Sequence, residues 1–444
     1  MTRPFHVRPG RVPRSVLVLS FLALVLEGYD LTMYGTVVPD LLAQPGWNVT
    51  PDTAGHIASM AVVGMLIGAF LAAVLTHRIA RRNLLVAGVT TFSVGMALCS
   101  IAGSAQQLGA LRFVVGLGVG VLMPTVAATL VEFAPVGKRA LHTAIGFAGV
   151  GVGGCLAGLL GSQIVPEHGF RPMFVIGAAP ALVVVPLLVR FMPPSIGQLA
   201  EQGRFEEASA LAARFGASAP DGASRDERPR TSLNDIRTLL DARHAPAMVL
   251  FSAATFLCLM LMYGAAAWLP TLMISAGYGV KSSLAFLLVL NVGATIGGLL
   301  ASPVADRAGF KPVVVSGFLA AAVSLVLLPH TSEGLVVIAL IALVGAGSTG
   351  TQVLMNAFVG SYFPGSLRGS ALGLALGVGR VGGIVGPMYG AMLISDHTPT
   401  EQFYGWAIPG IIGAGLIALV PLTRSADSRA TPMDEGDHAV SEAR

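Results

Sequence analysis

The chain has 444 residues, of which 54% are hydrophobic and 11% are charged, whereas a typical soluble domain is about 25% charged. Together with 55 glycines, this composition excludes an ordinary soluble protein and indicates many membrane-spanning helices. The formal net charge of +4 is distributed over many short loops, so it does not predict nucleic-acid binding.

Apolar runs long enough to span a bilayer recur along the whole chain. A helix needs about 20 apolar residues to cross the hydrocarbon core. The predicted spans, numbered 1 to 12 in chain order, are 16–38, 54–75, 84–103, 108–131, 142–164, 173–191, 247–273, 284–304, 312–330, 335–358, 369–393 and 403–423. All cysteines lie inside these spans, so we expect no disulfide framework, no metal site and no cofactor.

A polar stretch separates spans 6 and 7 and divides the chain into two sets of six helices. It begins with Pro193-Pro194, continues as a predicted amphipathic helix from Ile196 to Phe215, and then loses apolar residues, as a flexible linker does. We expect an N-terminal six-helix bundle, a cytoplasmic central loop, a C-terminal six-helix bundle and a disordered cytoplasmic tail at residues 1–191, 192–246, 247–423 and 424–444, respectively.

The basic residues predict how the chain is oriented in the membrane. Of 27 Lys and Arg residues, Arg112 and Arg380 fall inside predicted spans, and Arg171 and Lys281 fall in loops opposite the termini. All the others lie on the side of the termini, and cytoplasmic loops carry the excess of basic residues. Both termini and the central loop are therefore predicted to be cytoplasmic, in the inner membrane of a bacterial cell.

Span 1 contains an acidic pair, Glu27 and Asp30, within an otherwise apolar run. An Asp at the centre of a membrane helix costs about 2.5–3.5 kcal/mol, so such residues usually face the bundle interior or a water-filled path. Helical spacing places Glu27, Asp30 and Tyr34 on one face. The pair is either structural, by ion pairing or snorkelling, or it titrates as a unit and takes up and releases a proton.

The two halves of the chain align with a constant shift of 229 residues. Met33-Tyr34-Gly35 falls on Met262-Tyr263-Gly264, and Arg78 falls on Arg307. Corresponding spans then run in the same direction, which is a parallel repeat about an axis along the membrane normal. Transporters built in this way place the substrate site between the two halves near the midplane.

The charged residues inside the spans are not repeated in the other half of the chain. Neither Glu27 nor Asp30 has an acidic counterpart, and Arg380 falls on Gly151. The acids therefore belong to the N-terminal half alone and the arginine to the C-terminal half alone. This asymmetry predicts a proton site on one half and an anion site largely on the other, with the two repeat-related tyrosines between them.

The loop after span 8 carries a recognisable motif. Ser302-Pro-Val-Ala-Asp306-Arg307-Ala-Gly309-Phe-Lys311 resembles the cytoplasmic G-x-x-x-D-R-x-G-R-[KR] motif of the major facilitator superfamily, and the copy at Ala73 to Arg82 is degenerate. The resemblance implies an all-α membrane protein whose two six-helix bundles move around a central site. The residues that it assigns to conformational gating are Arg78, Asp306, Arg307, Gly309 and Lys311.

A narrower set of motifs is similar to the aromatic acid:proton symporter family. Glu27-Gly-Tyr-Asp30-Leu resembles the family's D-G-[FY]-D signature, with Glu27 in place of the usual Asp. Further matches lie in span 4 (Arg112 to Gly120) and span 11 (Gly377 to Pro387). The resemblance implies uptake of a small aromatic carboxylate, such as benzoate or a hydroxybenzoate, and a need for the acidic pair in transport.

Charged residues inside or near the end of a span need partners. Arg380 either pairs with Asp30 or a backbone carbonyl, or binds the substrate carboxylate through its guanidinium. Arg112 is either an interhelical brace or, by the resemblance, a residue tied to proton movement. Glu132, near the end of span 4, is predicted to form an ion pair with Arg139 or a neighbouring loop base.

Polar and aromatic residues in the C-terminal half are candidates for ligand contact. Gln352 and Asn356 share one face of span 10, where amides either join helices or hold the polar groups of a ligand. Tyr34, Tyr263 and Trp268 can stack on an aromatic ring. The alternative for Trp268 is a position in the aromatic belt at the membrane interface.

The sequence therefore predicts a monomeric secondary active transporter that imports a small aromatic carboxylate together with a proton. The alternatives are a proton-coupled exporter, a carrier of another organic acid such as cis,cis-muconate, and a non-transporting membrane sensor. Span 5 lacks the proline of the superfamily's export motif, which argues against export. The sequence has no nucleophile–base constellation and no metal-ligand spacing, so no enzyme is predicted.

Overall fold

The protein is a bundle of twelve long helices. The computed structural model describes residues 14–76, 78–135, 138–217 and 233–421, and these ranges contain helices but no strand. Twelve spans among them are long and apolar enough to cross a membrane. The predicted all-α membrane fold is thereby confirmed.

The first six spans match the predicted positions, with one interruption. Span 6 consists of two helices, because Pro180 has no N–H to continue the hydrogen-bond ladder. The bounds of spans 1 to 6 are Ser15–Leu42, Pro51–Leu75, Arg81–Ser100, Ala105–Glu132, Arg139–His168, and Arg171–Ala178 with Ala181–Phe191.

The last six spans follow the same order, and span 10 is interrupted by a π-helical turn. Such turns are often found at functional positions within membrane and soluble helices. Spans 7 to 9 are Ala245–Ser275, Val280–Ala308 and Phe310–Leu327, the last followed by the 3-10 turn Leu328–His330. Span 10 comprises Gly334–Gly345, the π turn Ala346–Gly350 and Thr351–Tyr362, and spans 11 and 12 are Gly365–Asp396 and Pro399–Leu419.

The segment between the halves does not contain the single helix predicted over 196–215. That prediction was wrong: the helices Ile196–Glu201 and Phe205–Phe215 are separated at Gly203, which has a φ of +78°. A positive φ suits glycine and ends the first helix. A further short helix is Leu233–Leu239. The predicted flexible linker falls largely on residues 218–232, and the predicted tail at 424–444; both lie outside the described residues.

Glycine contacts within each half reproduce the sequence repeat. A Cβ atom added to Gly64 would collide with the carbonyl oxygen of Phe113, and one added to Gly293 would collide with that of Ala342. Both members of the second pair are shifted by 229 residues from those of the first. Spans 2 and 4 therefore pack as spans 8 and 10 do, and only glycine permits this separation.

The two halves contact each other on the side of the membrane away from the chain termini. Ser59 Oγ of span 2 donates to the carbonyl oxygen of Ile384 in span 11 at 2.7 Å, and Asn291 Nδ2 of span 8 donates to Thr32 Oγ1 of span 1 at 3.2 Å. Span 5 also packs against span 8. These contacts join the halves and close the bundle on that side.

On the side of the termini, an open face of span 11 indicates a cleft between the halves. Gly373 and Gly377 share a face of span 11 with Arg380 and Ile384. Ile384 meets span 2, whereas Cβ atoms added to Gly373 or Gly377 would have no atom of a described residue within 4 Å. The cleft therefore opens below Arg380 toward the termini.

Candidate functional site

A small cavity lies at the interface of the two halves, in the middle of the bundle. Its volume is about 30 Å³, and five spans from both halves form its walls. Its polar lining residues are Glu27, Asp30, Tyr34, Arg112 and Tyr263, and its apolar ones are Leu31, Ala58, Ala61, Val62, Met65, Val119, Ala267 and Pro387. Five of the residues predicted to carry function thus meet at one place.

Asp30 and Arg112 form an ion pair in this cavity. Arg112 Nη1 donates to Asp30 Oδ1, and both side chains are at most 4% exposed. The guanidinium also lies over the ring of Tyr34, 5.2 Å from its centroid. The Tyr34 hydroxyl donates to the carbonyl oxygen of Ala54 at 2.7 Å, which fixes the ring against span 2. Spans 1, 2 and 4 are thereby joined around a charge pair shielded from water.

Glu27 lies in the same cavity and has a different environment. The side chain is 4% exposed, and its Oε2 atom has no hydrogen-bond partner among the described residues. The Nε atom of Arg112 is likewise buried without a described partner. The two acids of span 1 are therefore not equivalent: Asp30 is paired and Glu27 is not.

Arg380 belongs to the C-terminal half and does not line the cavity, but it bonds to Tyr263, which does. Its Nη1 donates to the hydroxyl of Tyr263 and its Nη2 to Met123 Sδ, both at 3.3 Å. No ion pair of Arg380 with a described carboxylate is present, so the alternative of pairing with Asp30 does not hold in this conformation. Tyr263, to which Arg380 donates, lines the cavity together with Glu27 and Asp30. A half-buried guanidinium thus faces the acids across Tyr263 and can accept an anion.

Besides Arg380, three predicted ligand residues lie outside the cavity lining: Trp268, Gln352 and Asn356. Trp268 is fully buried, and its Nε1 donates to the carbonyl oxygen of Pro387 at 2.7 Å. Trp268 therefore lies neither in an aromatic belt at the membrane interface nor with a ring face open to a ligand. It packs behind Pro387, which lines the cavity. Gln352 Nε2 donates to Asn356 Oδ1 at 3.0 Å, so the two amides join one another along span 10.

The gating-motif residues lie at the side of the termini, away from the cavity. Asp306 and Arg307 are exposed and form no ion pair with a described residue, and Arg78 is exposed as well. Gly309 has a φ of +88°, which permits the tight turn between spans 8 and 9. Lys311 Nζ donates to the carbonyl oxygen of Val420 at 2.7 Å and joins span 9 to the end of span 12.

Glu132 does form an ion pair with a neighbouring base, as predicted, and the base is Arg81 at the start of span 3. Arg81 Nη1 lies 2.5 Å from Glu132 Oε2. The other carboxylate oxygen accepts from Ser195 Oγ and from the backbone N–H of Gly197, each at 2.7 Å. Glu132 therefore fastens the first short helix of the central segment to the N-terminal half. The side chain of Arg139 is outside the described residues.

Sequence reasoning missed the apolar wall of the site. Ala58, Ala61, Val62 and Met65 form one face of span 2 and line the cavity, and their spacing is that of a helical face. That spacing does not separate a cavity face from a packing face when every side chain is apolar. Met123 was missed for the same reason, although it contacts Arg380 across the halves.

Comparison with known proteins identifies the family. The family model of the Major Facilitator Superfamily matches residues 20–387, with a further match over 284–443. The chain belongs to the Major Facilitator Superfamily. The twelve-helix major facilitator fold predicted from the sequence is confirmed by this match.

Relatives in this superfamily include carriers of aromatic acids. The chain is 32% identical over 428 residues to the benzoate transport protein of Acinetobacter baylyi, covering 94% of this chain and 90% of the relative. It is 34% identical over 364 residues to the gentisate transporter of Corynebacterium glutamicum, covering 81% and 76%. The resemblance to the aromatic acid family is thereby confirmed, and so is the prediction that the protein is not an enzyme.

A solved structure of the same superfamily has the same fold. The crystal structure of a D-xylose-proton symporter aligns with a TM-score of 0.74, covering 93% of this chain and 99% of that chain, at 18% identity. The major facilitator architecture therefore extends over nearly the whole length of both proteins.

Proposed function

We propose that this major facilitator protein imports a small aromatic carboxylate together with a proton across the inner membrane, acting as a monomer with both termini in the cytoplasm. The observation that carries the proposal is the position of Arg380. Its guanidinium has a tyrosine hydroxyl and a thioether as partners, and lies opposite two buried acids. An intramembrane arginine without a carboxylate partner is suited to bind a substrate anion.

The substrate class follows from the relatives and from the chemistry of the site. Benzoate and gentisate, which name the two relatives, both combine a carboxylate with an aromatic ring. The guanidinium of Arg380 fits the carboxylate, and the ring of Tyr263, to which Arg380 donates, can stack on an aromatic ring. Met123 is the contact that such an anion would displace.

Proton coupling is assigned to the acidic pair of span 1. Glu27 and Asp30 are buried in the interface that changes when the halves move. Transport of one proton with one monovalent anion moves no net charge, so the membrane potential opposes it little. The contacts of Ser59 and Asn291 on the side away from the termini and the open face of span 11 on the other side support alternating access, in which such a state releases substrate to the cytoplasm.

The test is uptake of radiolabelled benzoate and gentisate into proteoliposomes containing the purified full-length chain. We expect uptake of at least one acid to rise when the outside is made acidic. Arg380→Gln should raise the substrate concentration that gives half-maximal uptake by about tenfold or more, because a charge-assisted hydrogen bond contributes about 1.5–3 kcal/mol.

The matched control is Arg190→Gln, the same substitution at an exposed arginine at the end of span 6, which should leave uptake unchanged. Failure of acid outside to stimulate uptake of either compound would contradict the proposal. Efflux from preloaded vesicles driven by acid outside would favour the exporter instead.

A further inference from the structure

We infer that Glu27 alone exchanges the coupled proton, while Asp30 stays ionised in its pair with Arg112, and that water in the central cavity connects the two acids. The inference rests on the proposed function and deepens it. It replaces an acidic pair acting as a unit with two acids that have separate tasks.

The first support is the difference in pairing. Asp30 receives a charge-assisted hydrogen bond from Arg112, and both side chains are shielded from water. Protonating Asp30 would leave the Arg112 charge buried and uncompensated, which is strongly unfavourable. Glu27 has a buried carboxylate oxygen with no described partner, so its protonation breaks no ion pair.

The second support is the size and lining of the cavity. A volume of about 30 Å³ is enough for one or two water molecules, since about 10–15 Å³ of such volume holds one. It is far too small for an aromatic ring. Two lining residues present buried atoms without described partners, Glu27 Oε2 and Arg112 Nε, and a cavity water needs polar partners of this kind. The cavity is therefore suited to hold water between the two acids.

The third support is the electrostatic link between Glu27 and Arg380. Arg380 donates to Tyr263, and the ionisable groups that line the cavity with Glu27 are Asp30, Arg112, Tyr34 and Tyr263. The positive charge of Arg380 opposes protonation of Glu27. A substrate carboxylate that neutralises Arg380 removes that opposition, so anion and proton bind cooperatively. By linkage, each ligand then strengthens binding of the other by the same factor.

The experiment measures benzoate binding to the purified full-length chain by calorimetry between pH 6 and pH 8, where free benzoate remains ionised; gentisate replaces it if uptake shows that gentisate is the substrate. For wild type we expect the affinity to fall with rising pH, by up to about tenfold per pH unit, which is the limit for one linked proton. Glu27→Gln should bind with an affinity that no longer depends on pH. Glu27→Asp, which keeps the carboxylate, should retain the dependence.

Asp30→Asn is the discriminating variant. It should keep the pH dependence of binding even where its thermal stability and its overall affinity are lower. A pH-indicator dye in weak buffer gives a second readout: benzoate should cause uptake of about one proton per chain in wild type and none in Glu27→Gln. This measurement decides the question even if Asp30→Asn cannot be purified.

The inference would be overturned if the affinity of Glu27→Gln for benzoate still depended on pH, or if benzoate still caused proton uptake by this variant. Neither result would contradict the proposed import function. The proposed function fails on a different result, namely absence of acid-stimulated uptake in wild type. The two failures are therefore distinguishable.

Discussion

At the scale of single residues, the ion pair between Asp30 and Arg112 is more deeply buried than the pairs Arg81–Glu132 and Arg204–Glu207. Both side chains lie in the centre of the bundle and are shielded from water. Removing one partner of such a pair leaves the other charge buried, which costs about 3–5 kcal/mol, whereas replacing both can be close to neutral. We therefore expect the pair to stabilise the fold.

The prediction at this scale concerns Asp30→Ala. We expect it to lower the thermal unfolding midpoint of the detergent-solubilised protein clearly, because Arg112 is left without its partner. The double variant Asp30→Ala/Arg112→Leu should recover most of the loss, although neither variant should transport. Equal midpoints for the single variant and wild type would show that the pair does not stabilise the fold.

At the scale of helices, close packing depends on a few glycines rather than on all of them. Gly64 allows span 2 to approach the backbone of span 4, and its repeat partner Gly293 allows span 8 to approach span 10. A Cβ atom added to Gly373, by contrast, would point into space that no described residue occupies. Identical residues in similar helices therefore have different importance, which the contacts reveal.

The prediction at this scale compares identical substitutions. Gly64→Ala and Gly293→Ala should both lower the thermal midpoint and reduce the yield of folded protein, because the added methyl groups collide with backbone carbonyls that cannot move without separating the helices. Gly373→Ala should have the wild-type midpoint. If all three variants were equally stable, the tight packing of the paired spans would be refuted.

At the scale of the whole molecule, the two halves are closed on one side and apart on the other. Ser59 lies at the closed interface and Gly377 in the open cleft. A transporter that works by alternating access must exchange these two arrangements, and accessibility of the two positions reports the exchange directly.

The prediction at this scale uses single cysteines in a variant whose three native cysteines are replaced. A cysteine substituted for Gly377 should react with a membrane-impermeant maleimide from the side of the termini, and one substituted for Ser59 should not react from the outer side at rest. When benzoate is added with acid outside, the maleimide reaction at position 377 should become slower and the reaction at position 59 should become faster. Unchanged rates during active uptake would argue against rocking of the halves.

The sequence predicted those features that are set by local composition. Apolar length located the twelve spans, and the constant shift of 229 residues predicted how the halves are related. The partner of Asp30 was not predictable, because Arg112 is 82 residues away and only helix packing brings the two together. The breaks at Pro180 and Gly203 were missed since the surrounding residues keep a helical pattern.

The same limit explains the outcome for the ligand residues. Spacing along a helix shows that Gln352 and Asn356 share a face, but not what that face meets, and the two amides bond to each other. Trp268 was considered for a ligand or for the membrane interface, and its indole is instead enclosed in the C-terminal half. Charged residues were easier to place, because their cost in a membrane restricts them to few environments.

The thioether of Met123, held by Arg380 across the two halves, has a consequence for oxidative damage. A thioether is a weak hydrogen-bond acceptor, and oxidation converts it into a polar sulfoxide. The oxidised side chain would bind the guanidinium more firmly and compete with a carboxylate for it. If Arg380 binds the substrate anion as proposed, we expect oxidation of Met123, one of the 16 methionines, to weaken substrate binding and methionine sulfoxide reductase to restore it.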